Sequence, residues 1–342
     1  MSSELLTSLL KEVSRSFYLT MRVLPGAIRP QISLAYLLAR TTDTIADTEI
    51  ISVERRLEAL EKLRARILGT TGEPLDFGEL TQQQSLPAEK ILLERCEDSL
   101  ALLAQFSAED QQRICDVLNT ITSGQELDLK RFAGANERQI VALQTKAELD
   151  DYTYRVAGCV GEFWTEMCVA HLFRMPELED LMWNSQFKEL GIRFGKGLQL
   201  VNILRDLPSD LQKGRCYLPF EKLNEIGLFP LELLGSANEK KIRPVYDYYL
   251  DLAESHLAAG WEYTNLIPFT WLSLRLACAW PILIGAKTIE KLRVANVLDP
   301  AQRVKVSRAE VRNLIAKSIA LYPFARAWKS QYPTATRISK CC

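Results

Sequence analysis

Histidine is almost missing from this chain. His171 and His256 are the two it carries in 342 residues. A histidine-rich metal site or a histidine triad needs more than this, so zinc hydrolase chemistry is not expected. CxxC pairs are missing too. The eight cysteines stand at 96, 115, 159, 168, 216, 278, 341 and 342, which suggests neither a zinc ribbon nor a thioredoxin-like site. Most fall within apolar helical patterns, where cysteine serves as a small hydrophobe, and a reducing, cytoplasmic setting is expected. Charge of one sign is not in excess: 42 Lys and Arg face 43 Asp and Glu, a net charge of -1. No basic surplus points to a nucleic-acid partner. No apolar run reaches the length of about 18 residues that spans a bilayer. The nearest approach, Leu276 to Ala286, contains Pro281 and reads as a buried core helix. The opening MSSELLTSLLKEV is interrupted by Glu4, Lys11 and Glu12 and lacks the signal-peptide pattern, and Cys341 and Cys342 form no CaaX arrangement. The sequence also has no GxGxxG fingerprint, no internal repeat of about 20–50 residues, and no convincing period-two strands joined by hairpin turns.

What remains is helical periodicity over most of the length. The chain is long enough to bury a sizeable core, and its hydrophobic content of 47% is that of a globular protein. The patterns predict helices over 4–13, from Pro30 through the forties, from Val53 after a Ser52 cap, over 88–106, 109–130, 186–207, 238–264 and 304–323, with 267–295 strongly apolar and rich in Trp and Leu. Residues 70–87 and 214–219 read as loops. The expectation is an all-α chain, one domain over 1–342, with helices around a central apolar cavity.

Two stretches concentrate the polar chemistry. Gln199 to Pro219 reads QLVNILRDLPSDLQKGRCYLP. Asn202, Asp206 and Asp210 recur every fourth residue, so on a helix they share a face. Arg205 precedes the first aspartate, and Lys213 and Arg215 follow the second. The alternative is a solvated acidic turn at a helix end, favoured by Pro208, which fits a first or last turn better than a helix interior. Far away, LAYLLARTTDTIADT repeats the arrangement: Tyr36, Arg40, Asp43 and Asp47 fall near one helical face. Carboxylates bind hard cations, Mg²⁺ typically taking one or two together with phosphate oxygens, and arginine holds the phosphates. Two such helices can clamp a diphosphate through Mg²⁺. Elsewhere, Ser14-Arg15-Ser16-Phe17 offers two hydroxyls and a cation to phosphate, or else a helix cap. Gln125, Glu126 and Asp128 are polar enough to face a cavity, although solvent is the commoner destination. Gly158 and Gly161, beside Tyr154, Phe163 and Trp164, either open space for a long apolar ligand or permit close helix packing.

Together these residues resemble the squalene/phytoene synthase family, over about residues 14–317. The motifs are SRSF at Ser14–Phe17, DTIAD with Tyr36 and Arg40, YRVAGCVGE, QLVNILRDLPSD and GRCYLP. The resemblance implies the isoprenoid synthase fold and a head-to-head condensation of two farnesyl diphosphates, through a cyclopropyl intermediate, to squalene with NADPH. A dehydrosqualene or phytoene synthase, which omits the reduction, is the alternative, and a non-catalytic helical scaffold is the rival of another class. The resemblance further implies metal ligands at Asp43, Asp47, Asn202, Asp206 and Asp210. It assigns substrate contacts to Ser14, Arg15, Ser16, Phe17, Tyr36, Arg40, Gln199, Asn202, Arg205, Arg215 and Tyr248. Tyr154 is the first candidate for the catalytic tyrosine and Tyr36 the second; Arg155 departs from the family pattern and keeps Tyr152 open. VKVSRAEV is similar to the segment that squalene synthases place near NADPH, which assigns Lys305 and Arg308 to the cofactor's phosphate; a surface helix is the alternative. No counterpart of the membrane anchor of eukaryotic squalene synthases is expected. Transient membrane contact by a membrane-peripheral protein is expected from the greasy product, although no basic amphipathic helix marks it.

Overall fold

The computed structural model describes residues 5–14, 17–173 and 185–332. It is helical almost throughout, as the periodicity predicts. The longer helices are α1 (Arg29–Asp47), α2 (Val53–Ile67), α3 (Ala108–Arg131), α4 (Cys159–His171), α5 (Ser185–Gln212), α6 (Glu239–Leu266), α7 (Leu272–Leu292) and α8 (Arg308–Leu321). The chain divides into two compact units, residues 1–133 with 162–184, and residues 134–161 with 185–342.

In the first unit α1 packs on α2 and α3. Proline in its first turn starts α1, where a missing N–H costs nothing. Leu34, Leu37, Leu38 and Ile45 bury one face completely. The far end is held by a cation: the buried Arg56 donates to the Ala46 carbonyl at 2.6 Å, answering a terminal carbonyl that has no helical N–H. Ser52 and Ser107 cap α2 and α3, accepting from the amides of Arg55 and Asp110.

In the second unit α5 lies along α6, and α7 packs on both. Pro208 does not end α5, which runs on to Gln212. Proline has no N–H to give the carbonyl four residues back, which is that of Leu204. The wholly buried Tyr246 of α6 supplies the donor instead, its hydroxyl 2.8 Å from that oxygen. The reading of Pro208 as a mark of a helix end is thereby corrected: a side chain from another helix repairs the break. Tyr246→Phe should cost about 1–2 kcal/mol in chemical denaturation, the penalty of stranding a buried carbonyl; an unchanged midpoint would remove this role.

Smaller differences also have local causes. The predicted loop 214–219 conceals half of a two-strand parallel pairing, β1 (Val141–Ala142) with β2 (Arg215–Cys216). Two-residue strands leave no alternation to read. Gly214 precedes β2 at φ 80°, and a β-carbon there would lie 2.2 Å from the Asn136 nitrogen, so both conformation and space require glycine. The last predicted helix starts at Arg308 rather than 304, because Ser307 and Glu310 form a reciprocal capping box. Helix α7 is long and apolar enough to cross a membrane, but two thirds of that stretch is buried within the protein, as expected of a core helix.

Candidate active site

The first acid pair stands near the C-terminal end of α1. Arg40 reaches both Asp43, at 3.8 Å, and Glu89, at 2.5 Å. Tyr36, one turn earlier, is partly buried against the apolar cluster that includes Leu9, Leu10 and Met21. The Gln125 side chain of α3, itself buried, donates through Nε2 to Asp43 Oδ1, while its carbonyl oxygen is buried with no hydrogen-bond partner. Burial first, and Asp47 second, push the Asp43 carboxyl up to about 7, against the opposing pull of Arg40 and Gln125. Yet 47% of the Asp43 side chain remains accessible. Dense protein thus surrounds a carboxylate that solvent still reaches, a place unfavourable for an anion even with Arg40 at 3.8 Å. Asp47 is exposed at the helix end. Ser14 lies at the end of the helix Leu10–Ser14, with a buried hydroxyl that lacks a partner. Arg15 and Ser16 lie outside the described residues, and of Phe17 only the backbone is described, as the start of the helix Phe17–Val23. Cys341 and Cys342 are likewise outside.

The second acid set lies on α5. Arg205 and Asp206, adjacent in sequence, form a two-pronged pair, with Nε–Oδ1 at 2.9 Å and Nη2–Oδ2 at 2.5 Å. The hydrogen bond to Asp206 is the main cause that raises the Arg205 pKa. Asn202 is exposed, while Gln199 and Asp210 are half-buried. Arg215 is carried on β2, half-buried, opposite Val141.

Tyr154 opens a single π turn, Tyr154–Gly158, and is half-buried. The Lys196 ammonium lies 5.8 Å from its ring centroid and 2.8 Å from Asp150. Tyr152, the alternative, is buried with its ring stacked on Tyr217 at 4.8 Å. Of the two, Tyr154 is the one with the more accessible side chain. The glycines that follow do not open a ligand space. A β-carbon on Gly161 would lie 1.9 Å from the Gly191 oxygen, and one on Gly195 would lie 2.1 Å from the Ala157 oxygen. Close helix packing is the outcome.

Tyr248 is half exposed on α6, under the Lys146 ammonium at 5.4 Å. It is Tyr246, two residues earlier, that reaches α5. Two residues turn a helix by more than half a circle, so Tyr248 faces away from the Leu204 carbonyl that Tyr246 meets. Lys305 and Arg308 are exposed. The Lys305 carbonyl accepts from Lys291 at 3.0 Å. The helix start beside them does not fit a phosphate, since the Glu310 carboxylate already accepts from the Ser307 amide at 2.8 Å. The two side chains remain as surface cations.

Among the described residues no three His, Cys, Asp or Glu side chains gather as a ready metal cage. Each acid pair instead has the composition of a Mg²⁺ site completed by phosphate oxygens. The open, disfavoured Asp43 carboxylate and the unpartnered Gln125 oxygen fit such a cation. Glu89 lies 49 residues from Arg40 and carries no local signal in the sequence. Reasoning from sequence marked Gln125 as polar enough to face a cavity but missed its contact with Asp43.

The squalene/phytoene synthase family model matches residues 10–310. The chain belongs to that family. Its relatives include the presqualene diphosphate synthase of Zymomonas mobilis, 31% identical over 248 residues, 72% of this chain and 70% of that one. A bifunctional lycopene cyclase/phytoene synthase of Pyrenophora tritici-repentis is 30% identical over 310 residues, 88% of this chain; the chain spans about half, 47%, of that fungal protein. Among solved structures, TcSQS in complex with a ligand superposes with a TM-score of 0.77 at 22% identity, covering 96% of this chain and 90% of that one. The fold is thus the isoprenoid synthase fold that the motifs implied.

Proposed function

We propose that this member of the squalene/phytoene synthase family condenses two farnesyl diphosphates head to head, forming presqualene diphosphate and then squalene with NADPH. The observation that carries the reading is the repeated pairing of arginine with aspartate on long helices, Arg40 with Asp43 and Arg205 with Asp206, in a chain of this family. Arg40, Arg205 and Arg215 bind diphosphate oxygens. Asp43 and Asp47, and Asn202, Asp206 and Asp210, present oxygens for Mg²⁺, which when bound supplies the positive charge that lets diphosphate depart. Ser14, Arg15, Ser16 and Phe17 complete the phosphate side, with Gln199. Tyr154 places a ring face where a passing cation is stabilised and a hydroxyl that can move a proton, with Tyr36 second in that role. Apolar walls keep water from the allylic cation. The NADPH step rests on Lys305 and Arg308 as surface cations for its phosphate.

A second reading has an observation of its own: the Zymomonas relative is named for presqualene diphosphate, and a chain that stops there needs no reductant. Purified protein incubated with farnesyl diphosphate and Mg²⁺, with and without NADPH, separates the outcomes by mass analysis. Squalene formed only with NADPH is the expected result. Presqualene diphosphate under both conditions would establish the second reading. Dehydrosqualene under both would move the chain to the non-reductive branch, and product from geranylgeranyl diphosphate alone would overturn the choice of substrate.

A further inference from the structure

Large apolar side chains reach solvent at one end of the second unit, and they come from two places in the sequence. Phe269 and Leu272 flank the start of α7. Ile319 and Phe324 lie in the last turn of α8 and just after it. All four are between 42% and 64% exposed. The two segments are locked together. The Phe269 ring stacks on Tyr322 with centroids 4.5 Å apart, and the Tyr322 hydroxyl donates to the Phe269 carbonyl. Behind them lies a buried cation, the 5%-exposed Arg275. Its guanidinium is 5.8, 5.5 and 5.2 Å from the ring centroids of Phe269, Tyr322 and Trp328. Arg275 and the Trp328 indole share the Asn265 carbonyl oxygen, at 2.9 and 3.0 Å. The exposed side chains therefore stand on a fixed base.

Positive charge accompanies them. From Ala301 to Tyr332 the sequence has seven Lys and Arg and one acid, Glu310, in a chain that is otherwise slightly acidic. Glu310 is itself tied to Lys291 at 2.8 Å. Arg312, Lys317, Arg326 and Lys329 are all exposed.

We propose that this end of the protein docks on the surface of an anionic lipid bilayer. Single phenylalanine, leucine and isoleucine side chains among cations are the composition of an interfacial contact: the apolar groups enter the boundary and the cations meet the headgroups. A nucleic acid has use for the cations but not for the aliphatic and aromatic tips. The activity proposed above enters the argument in one respect, that its hydrocarbon product has to leave into lipid. The surface was illegible as an amphipathic helix because it is assembled from a loop, a helix end and a turn.

The test is sedimentation of the full chain with vesicles of phosphatidylcholine, alone or with about a third phosphatidylglycerol. The protein should pellet with the anionic vesicles only, and salt should release it. Phe324→Asp and Ile319→Asp should each weaken binding about tenfold, and Lys317→Glu about fivefold. Phe324→Trp should retain it. All four should keep the wild-type melting temperature and the turnover of detergent-dispersed substrate. Absence of vesicle binding, or equal binding by the variants, would overturn the proposal. So would binding of DNA in place of vesicles, or a dimer that the same substitutions dissolve. Inactive protein that still binds vesicles supports the surface and counts against the proposed activity alone.

Discussion

Asp43→Asn is expected to lower turnover by about a thousandfold and, in the same protein freed of metal, to raise stability. The first effect follows from removing one of the charges that would hold Mg²⁺ against diphosphate, the kind of electrostatic contact whose loss costs about 10²–10³ in rate or more. The second follows from the position of the carboxyl. Folded, Asp43 keeps its proton up to about pH 7; its ordinary value is 3.8. Between these values the folded state binds a proton that the unfolded state has released. Stability therefore falls as pH rises through this window, and the whole penalty is present above it. Asparagine is neutral throughout and its carbonyl oxygen can still accept from Gln125. Water and salt screen a side chain that is 47% accessible, which brings the expected gain down to about 1 kcal/mol at pH 8. The gain should vanish near pH 4. Denaturation in EDTA at the two pH values, alongside product formation with Mg²⁺, measures both effects. An asparagine variant that is less stable at pH 8, or one that turns over normally, would remove Asp43 from this role.

Gly195→Ala should destabilise the second unit by about 3 kcal/mol or prevent folding. A β-carbon there would stand 2.1 Å from the Ala157 oxygen and 2.7 Å from its carbon, both backbone atoms that no rotamer change can move aside. Gly161→Ala should behave likewise, with 1.9 Å to the Gly191 oxygen. Overpacking of a fixed contact typically costs about 1–3 kcal/mol, and these contacts are at the severe end. The control is Gly72→Ala, where nothing lies within 4 Å, and which should shift the denaturation midpoint by less than about 0.5 kcal/mol. Because Gly195 meets the π turn that begins at Tyr154, a mild variant that folds should also show reduced turnover. Equal midpoints for the three variants would mean that the helices separate easily.

The difference between α1 and the π turn shows which features a sequence can carry. In α1 the starting proline, the buried leucines and the spaced Tyr36, Arg40, Asp43 and Asp47 all lie within 19 residues, where helical period alone sets their common face. The same holds for Asn202, Asp206 and Asp210 on α5. What escaped sequence reasoning depends on separate segments meeting. Gln125 is 82 residues from Asp43. Tyr246 answers a carbonyl, 42 residues earlier, that Pro208 leaves open, a pairing that neither segment marks by itself. Glycine spacing was visible at 158 and 161, yet spacing cannot distinguish a groove that holds a ligand from one that holds another backbone.

The two-pronged pair of Arg205 and Asp206 has a thermodynamic consequence for the order in which ligands load. In the roles proposed for them, a metal arriving alone would have to take Asp206 from its arginine, and an anion arriving alone would have to take Arg205 from its aspartate. Either ligand leaves the other partner uncompensated. Arriving together, they break one pair and satisfy both halves. The rupture is then shared, so each ligand binds more tightly in the presence of the other, by the same factor in both directions. Under those proposed roles, two adjacent residues on a single helical turn would make cation and diphosphate binding cooperative.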